Sequence, residues 1–246
     1  MRDKLIRLAI IHKGQYSAIK KALENKEEPD QTLRLQRAIT IVDPDYPERL
    51  KQLKYPPYVL FYIGRKELLK GNCLSIVGTR QPSYYGVSAT RQLVSLVNNR
   101  YVLVSGMAKG IDALVHQNAE RTIGILGNGL NYDYPLCNRQ LYSYMREKQL
   151  LISEYPLDTR PQRYHFPFRN RLIAALSDDI VVMQAGKNSG SLLTANEAFK
   201  LNRRVHALVY PYDDASGQGC NELIAHGARI LDGNCFERLA AEKSES

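Results

Sequence analysis

Residues 163–171 read RYHFPFRNR, in which Arg163, Arg169 and Arg171 are interleaved with Tyr164, His165, Phe166 and Phe168 and no acid intervenes. Guanidinium groups at that density repel one another, and two phenylalanines beside them would ordinarily be buried elsewhere. The chemistry open to such a stretch is recognition of a flat-faced polyanion. Arginine forks pair with phosphate oxygens, and aromatic rings stack on unpaired bases. The competing reading is structural: Phe166 and Phe168 seal the core, and the arginines cap nearby carbonyls with snorkelling stems. Pro167 stiffens the segment in both readings.

The elements that would position these residues follow from the apolar pattern. Short apolar runs occur at 73–78, 101–106, 122–127, 150–154, 179–185 and 204–210, with helical stretches beginning near 86, 111, 138, 169 and 191. Continuous apolar strands alternating with helices indicate a parallel sheet covered on both faces, an α/β, doubly wound, Rossmann-like domain. RYHFPFRNR then lies between the fourth strand and the helix RNRLIAAL.

Ligands of such sheets bind outside the carboxyl ends of the strands. The loops there are GTRQPSYYG with Arg80 and Ser83, SGMAKGID with Gly106 and Lys109, GNGLNYDYPLCNR with Arg139, and AGKNSGSLLTA with Ser189, Ser191 and Thr194. Glycines admit a ligand close to the backbone, and helix N-termini present unpaired amides to phosphate. Any one loop could be a plain turn with an N-cap serine, but their placement on one edge points to a phosphate-bearing ligand.

Standard signatures fail. QAGKNSG has Asn188 after the lysine and no glycine at 181, so it is not a P-loop; GILGNGLNY is G-x-x-G-x-G, with Tyr132 in place of the third dinucleotide-fold glycine. Glu154, at the end of the next strand, stays open as a ribose-binding acid. Nucleophile elbows and metal-ligand spacings are absent, no cofactor is expected, and His116 in DALVHQ has core packing as its default role.

Composition sets the outer bounds. The 246 residues carry a net charge of +9, with 15 basic and 9 acidic residues in 1–70, so the remainder is nearly balanced and an anion site there must come from local clustering. Cys73, Cys137, Cys220 and Cys235 have neither paired nor zinc-type spacing, which fits a reducing cytoplasm. No apolar run reaches the roughly 18–20 residues of a membrane span. Residues 1–54 read as short helices with DKLIRLAIIH presenting an apolar face, followed by a short strand YVLFYIG; the expected boundaries are a small N-terminal helical region 1–70, a sheet domain 71–233 and a polar tail 234–246.

VGTRQPSYYG (77–86), SGMAKGID (105–112), TIGILGNGLNYDYP (122–135), SEYP (153–156), FPFRNRLIAALS (166–177), SGSLLTANEA (189–198) and GQGCNELIAHGA (217–228) resemble, in order, the DprA/Smf family of bacterial DNA-processing proteins. The resemblance implies an extended Rossmann fold without redox chemistry and no enzymatic activity. It implies a cytoplasmic homodimer that binds and protects incoming single-stranded DNA and loads the RecA recombinase by displacing single-strand-binding protein. Arg80 falls on the family's pocket arginine, Arg169, Asn170 and Arg171 on its RNR motif, and Arg139 near a further pocket cation. With Ser83, Gly106, Lys109, Phe166, Ser189, Ser191 and Thr194 these form the expected DNA contacts. Gln184 departs from the pattern by standing where an acid is common, ALVYPYDD (207–214) replaces an ending in Pro-Gly, and the thirteen residues after Gly233 are too few for the winged-helix domain of some members. SGSLLTANEA is also loosely similar to the phosphate loop of LOG-type phosphoribohydrolases, with Glu197 as a catalytic acid, although the Pro-Gly-Gly-x-Gly-Thr loop of that group is absent.

Overall fold

A computed structural model describes residues 1–233 and Leu239. The expected tail, 234–246, lies outside these apart from Leu239. The six apolar runs form β3 (Cys73–Val77), β4 (Val102–Ser105), β5 (Thr122–Leu126), β6 (Leu150–Ser153), β7 (Asp179–Val182) and β8 (Arg204–Leu208), all mutually parallel. Between and after them run α4 (Tyr84–Val97), α5 (Ile111–Asn118), α6 (Arg139–Lys148), α7 (His165–Leu176), α8 (Gly190–Lys200) and α9 (Gln218–Ala225), and β9 (Arg229–Leu231) closes one edge. Every residue of β3, β4, β5, β6 and β7 is buried, as a parallel sheet covered on both faces requires.

The N-terminal region is more than helical. It contains α1 (Arg2–Ile11), α2 (Tyr16–Glu24) and α3 (Glu48–Lys51), but also β1 (Ala38–Thr40) and β2 (Val59–Gly64). Strand β2 pairs antiparallel with β6, and β1 with β2, so the sheet runs β1-β2-β6-β5-β4-β3-β7-β8-β9 without a break. The expected boundary near residue 70 therefore does not divide the sheet. Alternate residues of β6 face opposite layers: Leu151 packs with Leu5, Leu8, Phe61 and Tyr142, whereas Leu150 and Ile152 join the larger cluster that includes α7. Gly14 ends the first helical stretch in left-handed conformation (φ +72°), and a Cβ there would collide with the backbone of Glu154 and Tyr155. That close approach seats the α1–α2 turn on the carboxyl end of β6.

Strands β3 to β6 are laid down in one direction across the sheet. The chain then crosses back to place β7 on the other side of β3. The reversal between β3 and β7 is the topological switch point, where the loops leaving neighbouring strands diverge and open a crevice.

Candidate nucleic-acid interface

A cleft of about 970 Å³ occupies that switch point, with Gly78, Thr79 and Arg80 after β3 on one side and Ser189, Gly190 and Ser191 after β7 on the other. A second cleft of about 530 Å³ continues along the same edge past the ends of β4 and β5 and is lined by Lys109 and Asn128. Arg80, Phe166, Arg169 and Tyr134 line both, so the two form one trough with a shared wall. Arg80, Lys109 and Arg163 are exposed cations along it. The rings of Phe166 and Tyr134 lie 5.4 Å apart, tilted by 32°, which leaves an aromatic face on the trough wall.

Helix α7 begins at His165, four residues before the expected start, so Phe166, Pro167 and Phe168 belong to its first turn. Proline is tolerated there because the first amides of a helix have no internal partner. The consequence is that the three arginines of RYHFPFRNR have different fates. Arg163 precedes the helix and stays exposed in the first cleft; it is a trough residue absent from the expected contacts, although it belongs to the same arginine-aromatic run.

Arg169 is buried in the wall between the clefts and donates to the Ile125 carbonyl, while its Nε has no hydrogen-bond partner. Burial pushes its pKa down, opposed by the Asp112 carboxylate; burial likewise pushes Asp112 up, opposed by Arg169. The charge of Arg169 is thus only partly compensated from within, which favours an anion in the trough. Gly106 makes this arrangement possible, since a Cβ there would stand 2.5 Å from Asp112 Oδ2 and 2.7 Å from Arg169 Nη1. Behind it, buried His116 donates from Nε2 to the Gly106 carbonyl, and its Nδ1 lies 2.7 Å from the Thr122 hydroxyl.

Arg171 corrects an expectation. It is buried, donates two hydrogen bonds of 2.5 and 2.6 Å to Glu154, donates to the Tyr55 carbonyl, and stacks 3.8 Å over Phe168. It binds the N-terminal region to β6 and α7 rather than phosphate. The same pair occupies both carboxylate oxygens of Glu154 and removes it as a ribose ligand.

The remaining expected contacts divide similarly. Asn170, Ser189, Ser191 and Thr194 line the first cleft, and the Ser189 hydroxyl caps α8 by accepting from the Ser191 amide. Asn170 Nδ2 donates to the Gly190 carbonyl at 3.4 Å. Ser83 caps α4, accepting from the Gly86 amide, and its own amide donates to Gln184 Oε1, so its polar groups are used within the fold. Gln184 Nε2 in turn donates to Ser216 Oγ at 2.7 Å, a bond that a carboxylate could not supply. Arg139 is exposed at the start of α6, outside the residues lining the two clefts. Glu197 pairs with Lys200 at 2.7 Å and does not line the trough.

Comparison with known proteins places these features in a family. The family model described as DNA recombination-mediator protein A matches residues 37–241. Protein Smf of Synechocystis is 41% identical over 202 residues, covering 78% of this chain and 51% of that protein. The DNA processing protein DprA of Bacillus subtilis is 40% identical over 199 residues, covering 78% of this chain and 67% of that one. The chain therefore spans between about half and two thirds of these relatives. The X-ray structure of DNA processing protein A from Streptococcus pneumoniae superposes with a TM-score of 0.79 at 34% identity, covering 92% of this chain and 80% of that one. The Helicobacter pylori DNA processing protein A, whose structure concerns its single-stranded DNA binding mode, gives 0.77 at 31% identity, covering 84% of this chain and 97% of that one. On the family match and these identities, the chain belongs to the DNA recombination-mediator protein A, or DprA/Smf, family.

Proposed function

We propose that this chain binds single-stranded DNA without sequence preference along the carboxyl edge of its sheet. It protects the strand and loads a RecA recombinase onto it during DNA uptake, displacing single-strand-binding protein and acting as a cytoplasmic homodimer. The observation that carries the binding step is the trough at the switch point, where exposed Arg80, Lys109 and Arg163 surround the under-compensated Arg169 and the Phe166–Tyr134 face. Cations tracking a backbone beside rings that accept any base suit an unpaired strand. The single-stranded DNA binding mode of the H. pylori relative and the DNA-processing names of the others support the same reading. In the described residues, no helix is long and apolar enough to cross a membrane.

The role is that of a binding protein and not an enzyme. A LOG-like hydrolase reading would need Glu197 at the ligand, and the Glu197–Lys200 pair argues against that. The trough also offers more cations than one nucleoside monophosphate requires.

Arg80→Ala combined with Arg163→Ala removes two exposed phosphate partners. For a labelled oligo-dT, the slope of log K against log salt should become shallower by about 1.4, at about 0.7 for each phosphate no longer neutralised. An unchanged slope would exclude the trough as the binding site. Loading is tested by recombinase filament formation on strand coated with single-strand-binding protein, and ribose release from AMP tests the hydrolase.

A further inference from the structure

The loop leaving β6 forms a ridge rather than one wall. Arg163 faces the switch-point cleft, whereas its neighbour Tyr164 lines a separate cleft of about 570 Å³, on the far side of residues 163–165. That cleft is completed by the N-terminal region through Lys13 and Gln36, and by Arg160 and Gln162 of the loop. Its cations are exposed, and its one carboxylate, Asp158, accepts from Asn131 at 2.7 Å. The walls are fixed: Gly14 holds the α1–α2 turn against the end of β6, and Gln36 accepts from the Leu157 amide at 3.0 Å. Tyr164 is 64% exposed and stands edge-on to His165, 4.5 Å away, which is itself stacked on Tyr155 at 3.9 Å. His165 Nδ1 donates to the Gly127 carbonyl, so the stack has a fixed base beneath an exposed ring.

We infer that this cleft is a second station for the same single strand, with Lys13 and Arg160 on phosphates and Tyr164 against a base. The inference rests on the proposed binding of single-stranded DNA in the trough. The switch-point cleft, the β4–β5 cleft and this one follow the strand order β7-β3-β4-β5-β6 along one edge. The trough, from β7 to β5, covers three strand spacings of about 4.8 Å, a span of roughly 14 Å. A stacked strand has a phosphate about every 3.4 Å, so roughly four nucleotides fill the trough and a longer strand passes over the ridge. The N-terminal helices thereby acquire a binding role beyond covering the sheet.

The test compares labelled oligo-dT of about four and about twenty nucleotides, within and above common single-strand site sizes. The unaltered protein is measured beside a Lys13→Gln, Arg160→Gln variant. Both side chains are exposed, so thermal unfolding should be unchanged. Removing these two phosphate partners should lower affinity for the longer strand roughly tenfold and flatten its salt slope by about 1.4, leaving the short strand within about twofold. Tyr164→Ala should likewise weaken only the longer strand. Equal affinities of variant and unaltered protein for the longer strand would overturn the second station while leaving the trough intact. Failure of the unaltered protein to bind either length would overturn both.

Discussion

Replacing Arg171 with alanine should unfold the protein before it uncouples it from DNA. The substitution leaves Glu154, 4% exposed, with its carboxylate buried and without the two hydrogen bonds of 2.5 and 2.6 Å that now neutralise it. It also frees the Tyr55 carbonyl and removes the guanidinium stacked on Phe168. Breaking one side of a buried ion pair costs about 3–5 kcal/mol, against a total stability of about 5–15 kcal/mol for a domain. At a urea dependence of about 2–3 kcal/mol per molar, the unfolding midpoint should fall by about 1–2.5 M with unchanged slope. Glu154→Leu with Arg171→Met removes both charges and should recover much of that loss, because an apolar pair avoids the desolvation penalty. Oligo-dT affinity of Arg171→Ala, measured where the protein remains folded, should lie within about twofold of the unaltered protein, since the phosphate contacts are made elsewhere. A variant with an unshifted urea midpoint that nonetheless fails to bind would refute this account and return Arg171 to the interface.

Two further outcomes follow from the buried groups under the trough. Gly106→Ala places a Cβ against Asp112 and Arg169 at 2.5 and 2.7 Å; it should cost about 1–3 kcal/mol of stability and weaken oligonucleotide binding by displacing the guanidinium, both readable from melts and anisotropy. Burial holds His116 neutral, its pKa pushed down to about 4 from an unfolded value near 6.5. Because the folded pKa is the lower one, its contribution is fully present above about pH 6.5 and is lost as pH falls toward 4, amounting to about 3 kcal/mol. Urea midpoints across that range, compared with a His116→Gln variant that cannot titrate, should show the gap between the two proteins closing as pH falls; a constant gap would contradict the assignment.

The parallel sheet was legible because its strands are continuous apolar runs: CLSIV, VLVS, TIGIL and DIVV fall within the segments the pattern marks. Strand β1 was not, since the three residues Ala38–Thr40 are too short to show a period, and only pairing with β2 makes them a strand. The start of α7 was hidden by Pro167, which reads as a break in sequence and is harmless in a first turn. The carboxyl-edge loops were readable from glycines and cations, and they converge at the switch point as such loops do. What sequence could not separate was Arg163, Arg169 and Arg171. All three are arginines beside aromatics, and only the position of Glu154, seventeen residues before Arg171 and just past the end of β6, decides that one of them is a strut. Lys13 in the third cleft was equally hidden, because its place depends on Gly14 meeting the end of β6.

The most direct test of the central claim is the affinity of the unaltered chain for labelled oligo-dT and for a duplex of equal length, followed over a salt series. If four cations of the trough engage phosphates, they alone should contribute about −2.8 to the single-strand slope, and binding should exceed that of the duplex because stacking on the Phe166–Tyr134 face needs unpaired bases. Equal affinity for the two forms, or a single-strand affinity that does not change with salt, would contradict it.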